Sequence, residues 1–106
     1  MSEWVEVATV EAITEGKPVH VDVDGVGIAV FKLEDMFYAI EDVCTHDGGL
    51  LTGGCVESDQ IVCPRHGARF SIKTGEALTA PAYEPTATFP IRIEGGMVQV
   101  RDDRWD

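Results

Sequence analysis

The segments Cys44-Thr45-His46 and Cys63-Pro64-Arg65-His66 each offer one thiolate and one imidazole, with sixteen residues between His46 and Cys63. Two of the three cysteines and two of the three histidines of the chain fall into these matched pairs, so chance spacing is a poor account of them. Two sulfur and two nitrogen ligands suit two kinds of centre. A single zinc ion accepts a tetrahedral Cys₂His₂ set, whereas a pair of sulfide-bridged irons accepts two thiolates on one iron and two imidazoles on the other. Zinc modules usually draw both cysteines from one turn and both histidines from another. Here each turn supplies one of each. A spacer of one residue in the first segment and two in the second lets each turn place its Cys on an inner metal and its His on an outer one. This favours one [2Fe–2S] unit held by Cys44, His46, Cys63 and His66, with zinc as the rival.

The charges explain what such ligands would achieve. Two ferric ions, two sulfides and two thiolates sum to zero when both imidazoles are neutral, against minus two for an all-cysteine version. An electron is added more easily to the neutral object, and ligand charge is one lever on cluster potential. The second ring nitrogen of each imidazole can also titrate or hydrogen-bond.

At 106 residues the chain is long enough for one core, and we read residues 1–106 as a single domain with its cluster-binding part at about 42–85. Eight basic against 19 acidic residues give a formal charge of −11, which argues against nucleic acid and against an anionic membrane surface and favours partners with basic docking faces. No run approaches the roughly 18 apolar residues of a membrane span. Met1-Ser2-Glu3-Trp4 lacks the basic and apolar regions of a signal peptide. The expectation is a soluble, cytoplasmic protein. With two cysteines assigned as ligands, only Cys55 remains, so no intramolecular disulfide framework is expected; Cys55 reads as a small apolar filler near the base of the loops.

The ligand segments must be held by strands. Val19, Val21 and Val23 alternate with His20, Asp22 and Asp24, the period-two pattern of a half-buried strand, and Asp24-Gly25 supplies a hairpin turn. Val26 to Leu33 and Phe37 to Ile40 read as further strands. Ile91 and Ile93 alternate with Arg92 and Glu94, Gly95-Gly96 turns the chain, and Val98 and Val100 return on the same period. Val10 to Glu15 suits a turn or a short helix. His20, on the polar side of its strand, is expected to be exposed, and Arg101 to Asp106 reads as a polar tail.

Between the strands, Asp47-Gly48-Gly49-Leu50-Leu51-Thr52-Gly53-Gly54 is too glycine-rich for a regular strand, and glycine permits the positive φ angles and close backbone approach that a cluster loop needs. No Lys-Ser/Thr follows it, which leaves a phosphate-binding reading weak. Pro64 stiffens the second ligand turn and Gly67 frees it. Ala80-Pro81-Ala82-Tyr83-Glu84-Pro85 reads as an ordered proline loop, either a connector or a cover for a third side of the cluster.

On these residues the chain, from about Trp4 to Arg101, resembles the Rieske-type ferredoxins, above all the ferredoxin components of bacterial aromatic-ring dioxygenase systems. The resemblance implies an all-β Rieske fold: an antiparallel β-sandwich base carrying a small cluster-binding subdomain of two ligand loops and a proline loop near Pro81. It implies Cys44 and Cys63 on the inner iron and His46 and His66 on the outer iron, with the histidine edge facing redox partners. Rieske proteins of respiratory cytochrome bc complexes look similar but carry an additional cysteine in each loop, joined as a disulfide, where this chain has Gly49 and Arg65. They also place Ser and Tyr hydroxyls near the cluster, where this chain has Ala68 and Phe70, and they carry a membrane anchor.

Two classes of function follow from the resemblance. The first is a low-potential, monomeric electron carrier taking single electrons from a flavin-dependent NAD(P)H reductase and delivering them to a terminal Rieske oxygenase, with no substrate chemistry of its own. The second is the Rieske-like small subunit of a nitrite-reductase-type complex. Such subunits often lack the ligands, and the presence of all four here favours the carrier. A terminal oxygenase subunit is excluded, because its mononuclear iron needs two His and a carboxylate from a second domain, and only His20 is left unassigned.

Overall fold

The valine-rich alternations fold as antiparallel hairpins, because a strand with one apolar face is stable only when a neighbour pairs its backbone and a second layer covers that face. The computed structural model describes residues 3–45 and 48–104. Nine strands are found among them, β1 Val5–Thr9, β2 Val19–Val23, β3 Val26–Leu33, β4 Met36–Glu41, β5 Cys55–Glu57, β6 Gln60–Val62, β7 Arg69–Ser71, β8 Ile91–Glu94 and β9 Met97–Val100. They form three antiparallel three-stranded sheets in the orders β1-β9-β8, β2-β3-β4 and β5-β6-β7. The expected turn or short helix after β1 is a single 3₁₀ turn, Val10–Ala12. Among the described residues no helix is long and apolar enough to cross a membrane. The fold is the expected all-β one.

The first two sheets enclose a core of Ile13, Val23, Ile28, Val30, Ala39, Phe89, Val98 and Val100, which is the sandwich base. A second core gathers Ala29, Phe31, Leu33, Ile40, Cys44, Leu51, Ile61, Cys63, Ala68, Phe70, Ile72 and Ala82 beneath the third sheet. β3 belongs to both. Successive side chains of a strand point to opposite faces, so Ile28 and Val30 enter the base while Ala29 and Phe31 enter the second core, and all four are buried. That double burial is why Val26 to Leu33 is a nearly continuous apolar run whereas β2, with one wet face, alternates.

The strands also determine where the candidate ligand segments emerge. Ile28 pairs with Glu41 at the end of β4, and the chain then passes through Asp42 and Val43 to Cys44. β6 ends at Val62, next to Cys63, and β7 begins at Arg69 after the second segment. Both segments are thus short crossings anchored on paired strands.

The C-terminal residues differ from the expected polar tail. Asp102 is buried, and Arg104 grips it through Nε to Oδ1 and Nη2 to Oδ2, both 2.9 Å, while lying 5.0 Å over the ring of Phe89. A third donor, Nη1, reaches Glu41 Oε1 at 3.3 Å. Polar composition hid this docking because it is the paired guanidinium that makes burial of the Asp102 carboxylate tolerable.

Candidate metal centre

The two cysteine turns are closed by the same pair of backbone hydrogen bonds. Cys44 N–H donates to the Gly49 carbonyl at 2.7 Å and Gly48 N–H donates to the Cys44 carbonyl at 2.7 Å. Cys63 N–H donates to the Ala68 carbonyl at 2.7 Å and Gly67 N–H to the Cys63 carbonyl at 3.1 Å. Counted from its cysteine, each turn takes the amide of the fourth residue and the carbonyl of the fifth. The fourth residue must turn left, with φ of 78° at Gly48 and 76° at Gly67. A Cβ at either would meet nothing within 4 Å. Glycine is therefore required by the backbone angle rather than by crowding.

The turns bring the two thiols into one compartment. Cys44 and Cys63 are both buried in the second core, together with Phe31, Leu51, Ile61 and Phe70. His66 is exposed, as are Pro64, Arg65 and Gly67 around it. His46, the remaining predicted ligand, and Asp47 lie outside the described residues. Among the described residues no three His, Cys, Asp or Glu side chains gather around one point that could hold a metal ion. Two thiols buried in one apolar core, each heading a turn with the same backbone hydrogen bonds and with a histidine within three residues in the sequence, nevertheless fit an iron–sulfur unit with a dry cysteine side, and His66 is exposed beyond it.

A third segment closes on the first turn. Thr45 Oγ1 donates to the Glu84 carbonyl at 2.7 Å, and Ala82 is buried in the same core as the cysteines. Thr45, Pro81, Tyr83 and Glu84 line a surface cleft there. The proline loop is a cover for the cysteine core rather than a plain connector. Thr86 anchors its far end, with Oγ1 donating to the Glu41 carbonyl at 3.0 Å and its N–H to the Gly75 carbonyl at 2.8 Å.

Sequence reasoning missed Asp42, two residues before Cys44. Its buried carboxylate accepts the Leu51 N–H at 2.6 Å and the Thr52 N–H at 2.9 Å on Oδ1, and the Thr52 hydroxyl at 2.9 Å on Oδ2. The glycine-rich return of the first loop is thereby pinned to the end of β4. The signal was a carboxylate at a strand end followed by a loop with surplus amides, a pattern that hydrogen-bond accounting exposes. His20 is exposed, as expected, and is also held in place, because its Nδ1 lies 2.6 Å from Asp42 Oδ2 and its Nε2 lies 3.4 Å from Asp22 Oδ1. The hydrogen bond to Asp42 raises the His20 pKa above its ordinary value near 6.5, against the opposing pull of burial, with the charges of Asp42 and Asp22 adding to the rise.

Cys55 does correct an expectation. It is exposed at the start of β5, not packed as an apolar filler. In this strand Val56 is the residue that packs against the core. Ala68 and Phe70 are completely buried in the cysteine core.

Residues 3–90 match the family described as Rieske [2Fe–2S] domain. The ferredoxin component of the naphthalene 1,2-dioxygenase system of Pseudomonas aeruginosa is 35% identical over 98 residues, spanning 92% of this chain and 94% of that protein. The ferredoxin subunit of the 3-phenylpropionate/cinnamic acid dioxygenase of Shigella flexneri is 42% identical over 85 residues, 79% of each chain. Among solved structures, a chain from the complex of reduced oxygenase and oxidised ferredoxin in carbazole 1,9a-dioxygenase superposes with a TM-score of 0.87 at 34% identity, covering 92% of this chain and 91% of that one. A protein from Mycobacterium tuberculosis described as an NADH-dependent nitrite reductase small subunit shares the fold, with a TM-score of 0.85 over 96% of both chains, at only 22% identity. The extent of the sequence match, the shared fold and the paired cysteine turns together mean that this chain belongs to the Rieske [2Fe–2S] domain family and that its cofactor is one Rieske-type [2Fe–2S] cluster.

Proposed function

We propose that the protein is the ferredoxin component of a multicomponent aromatic-ring oxygenase system, accepting single electrons from a flavin-dependent NAD(P)H reductase and passing them to a terminal Rieske oxygenase. It acts as a monomer in the cytoplasm, its 106 residues forming a single domain, and carries out no substrate chemistry itself. One observation carries the reading: two identically hydrogen-bonded turns bury Cys44 and Cys63 in one apolar core and leave His66 exposed. The ferredoxin names of the relatives support it, as does the carbazole dioxygenase structure in which ferredoxin and oxygenase are partners. The nitrite-reductase reading has only a fold likeness at 22% identity behind it.

In this assignment Cys44 and Cys63 hold the inner iron and His46 and His66 the outer one. When bound, the cluster supplies a one-electron couple. The chain supplies the rest. Phe31, Leu51, Ile61 and Phe70 exclude water from the cysteine side, and the proline loop covers a third side through Ala82 and the Thr45–Glu84 hydrogen bond. The exposed histidine turn leaves a short route for an electron into a docked partner.

Ligation is tested by spectroscopy. His46→Cys and His66→Ala should each abolish the low-average-g electron paramagnetic resonance signal that histidine ligation of the reducible iron produces, while Cys55→Ser retains it. A colourless wild-type protein with stoichiometric zinc, or loss of the signal in Cys55→Ser alone, would reject the assignment. Reduction by a flavin-dependent NAD(P)H reductase, followed by reoxidation on adding a terminal oxygenase, tests the role.

A further inference from the structure

The imidazole of His20 is built into the fold in a way that ligation does not use. It stands on β2 opposite Ala29 of β3, beside Gly27. A Cβ on Gly27 would lie 2.8 Å from His20 Cε1, so the ring occupies the space that any other residue would fill. Gly27 has no positive φ to explain its identity. Its carbonyl accepts the Asp42 N–H at 2.9 Å, which sets the Asp42 carboxylate over the same spot. Asp42 accepts four donors, from His20, Leu51, Thr52 N–H and the Thr52 hydroxyl, so its position and that of the first loop's return are set together. Among the described residues the charged groups in contact with the imidazole are Asp22 on its own strand and Asp42 after β4, and from β3 the uncharged Gly27 and Ala29 lie beside it.

We propose that His20, acting through Asp42, is a positioning residue for the loop that carries Cys44 and is a site where proton uptake accompanies reduction of the cluster. The inference rests on the reading of the chain as a one-electron carrier. Asp42 Oδ2 accepts from Nδ1–H, which leaves Nε2, 3.4 Å from the Asp22 carboxylate, as the place for the second proton. One electron enters from a reductase flavin or an electrode, and one proton from solvent binds at Nε2. With His20 protonated its charge offsets that of Asp42. Once it is neutral, the charge of the buried Asp42, two residues before Cys44, is no longer offset, so reduction becomes less favourable as pH rises. By linkage the reduced protein holds the proton more tightly than the oxidised one. A threefold difference in proton affinity corresponds to ~28 mV at about 59 mV per tenfold for a one-electron couple.

The test is voltammetry of the cluster-loaded protein from about pH 5 to about pH 9, where an unliganded imidazole titrates, on wild type, His20→Gln and Asp22→Asn. The wild-type potential should fall through a step above pH 6.5. His20→Gln should lack that step while keeping any decline at higher pH that belongs to the ligand imidazoles, and Asp22→Asn, at a solvent-exposed side chain, should move it to lower pH. Nuclear magnetic resonance titration of the wild-type His20 ring gives a reading independent of the variants, with a higher pKa expected in the reduced state. Identical His20 titration in both oxidation states, or an unchanged step in His20→Gln, overturns the inference. Absence of any reversible one-electron wave in wild type instead overturns the carrier reading on which it rests.

Discussion

Gly54 lies against the carbonyl of Val62, so close that a Cβ on Gly54 would overlap that oxygen. Val62 is the last residue of β6 and precedes Cys63, while Gly54 ends the glycine-rich return of the first loop, its N–H donating to the Leu51 carbonyl at 2.9 Å. The two cysteine turns are thus joined through this contact. Gly54→Ala must force backbone apart, and overpacking of this kind costs about 1–3 kcal/mol. We expect weaker cluster retention and a lower melting temperature, measured by visible absorbance and circular dichroism. At Gly48, where a Cβ finds open space but φ is 78°, Ala should cost less, about 1 kcal/mol.

The buried pair Ala68 and Phe70 leads to a prediction about potential. Hydrogen bonds to cluster sulfurs are determinants of potential, and Rieske centres span roughly −150 to +300 mV. With no hydroxyl at either position, this protein should lie toward the low end, as the proposed transfer from a nicotinamide-dependent reductase requires. Ala68→Ser and Phe70→Tyr should each raise the potential by ~60 mV, for a hydrogen bond favouring the reduced state by about 1.4 kcal/mol. Voltammetry at fixed pH decides. A wild-type value near the upper end of the range would contradict the assignment.

Docking should follow electrostatics. A carrier of formal charge −11 is steered toward basic faces, and salt screens that steering over roughly 10 Å at about 0.1 M. Stopped-flow reduction by the proposed reductase should slow as ionic strength rises. Arg65, exposed beside His66, is a cation on an acidic protein. Arg65→Glu should slow transfer to the oxygenase severalfold without changing cluster spectra if it meets a partner carboxylate, and unchanged kinetics would place it outside the contact.

The grip of Arg104 on Asp102 predicts an acid-labile terminus. Its side-chain hydrogen bond is the main cause holding the Asp102 carboxyl below its ordinary value of 3.8. Because the folded pKa is depressed, the stabilisation is complete above the unfolded value and is lost as pH falls through the folded one. Arg104→Ala leaves a buried carboxylate without its partner, a loss of about 1–3 kcal/mol at neutral pH. Denaturant melts should show that deficit shrinking as pH drops below 3.8.

The hairpins were readable because β2, β8 and β9 each offer several residues of strict alternation, and β3 gave itself away as a long apolar run. The third sheet was not readable. Its strands are three residues long, too short for a period to emerge from Cys-Val-Glu, Gln-Ile-Val or Arg-Phe-Ser. Cys55 was misplaced for the same reason: cysteine usually packs inside, but register on β5 turns Val56 inward and leaves Cys55 in solvent. The paired turns were visible as a spacing of Cys, His and Gly, since each of those residue types is demanded locally. The His20–Asp42 bond was invisible because it joins residues 22 apart through the missing Cβ of Gly27, and no local pattern records a contact made by an absence.

The double burial of β3 also makes the colour of the protein a thermometer for its base. Ile28 and Val30 cannot leave the sandwich without Ala29 and Phe31 leaving the compartment that holds Cys44 and Cys63. Melting of the valine-rich hairpins therefore opens the cysteine core to water and thiol-reactive solutes, and the cluster bleaches in step with it. A variant far from any ligand, anywhere along that shared strand, reports its effect on folding through the visible spectrum.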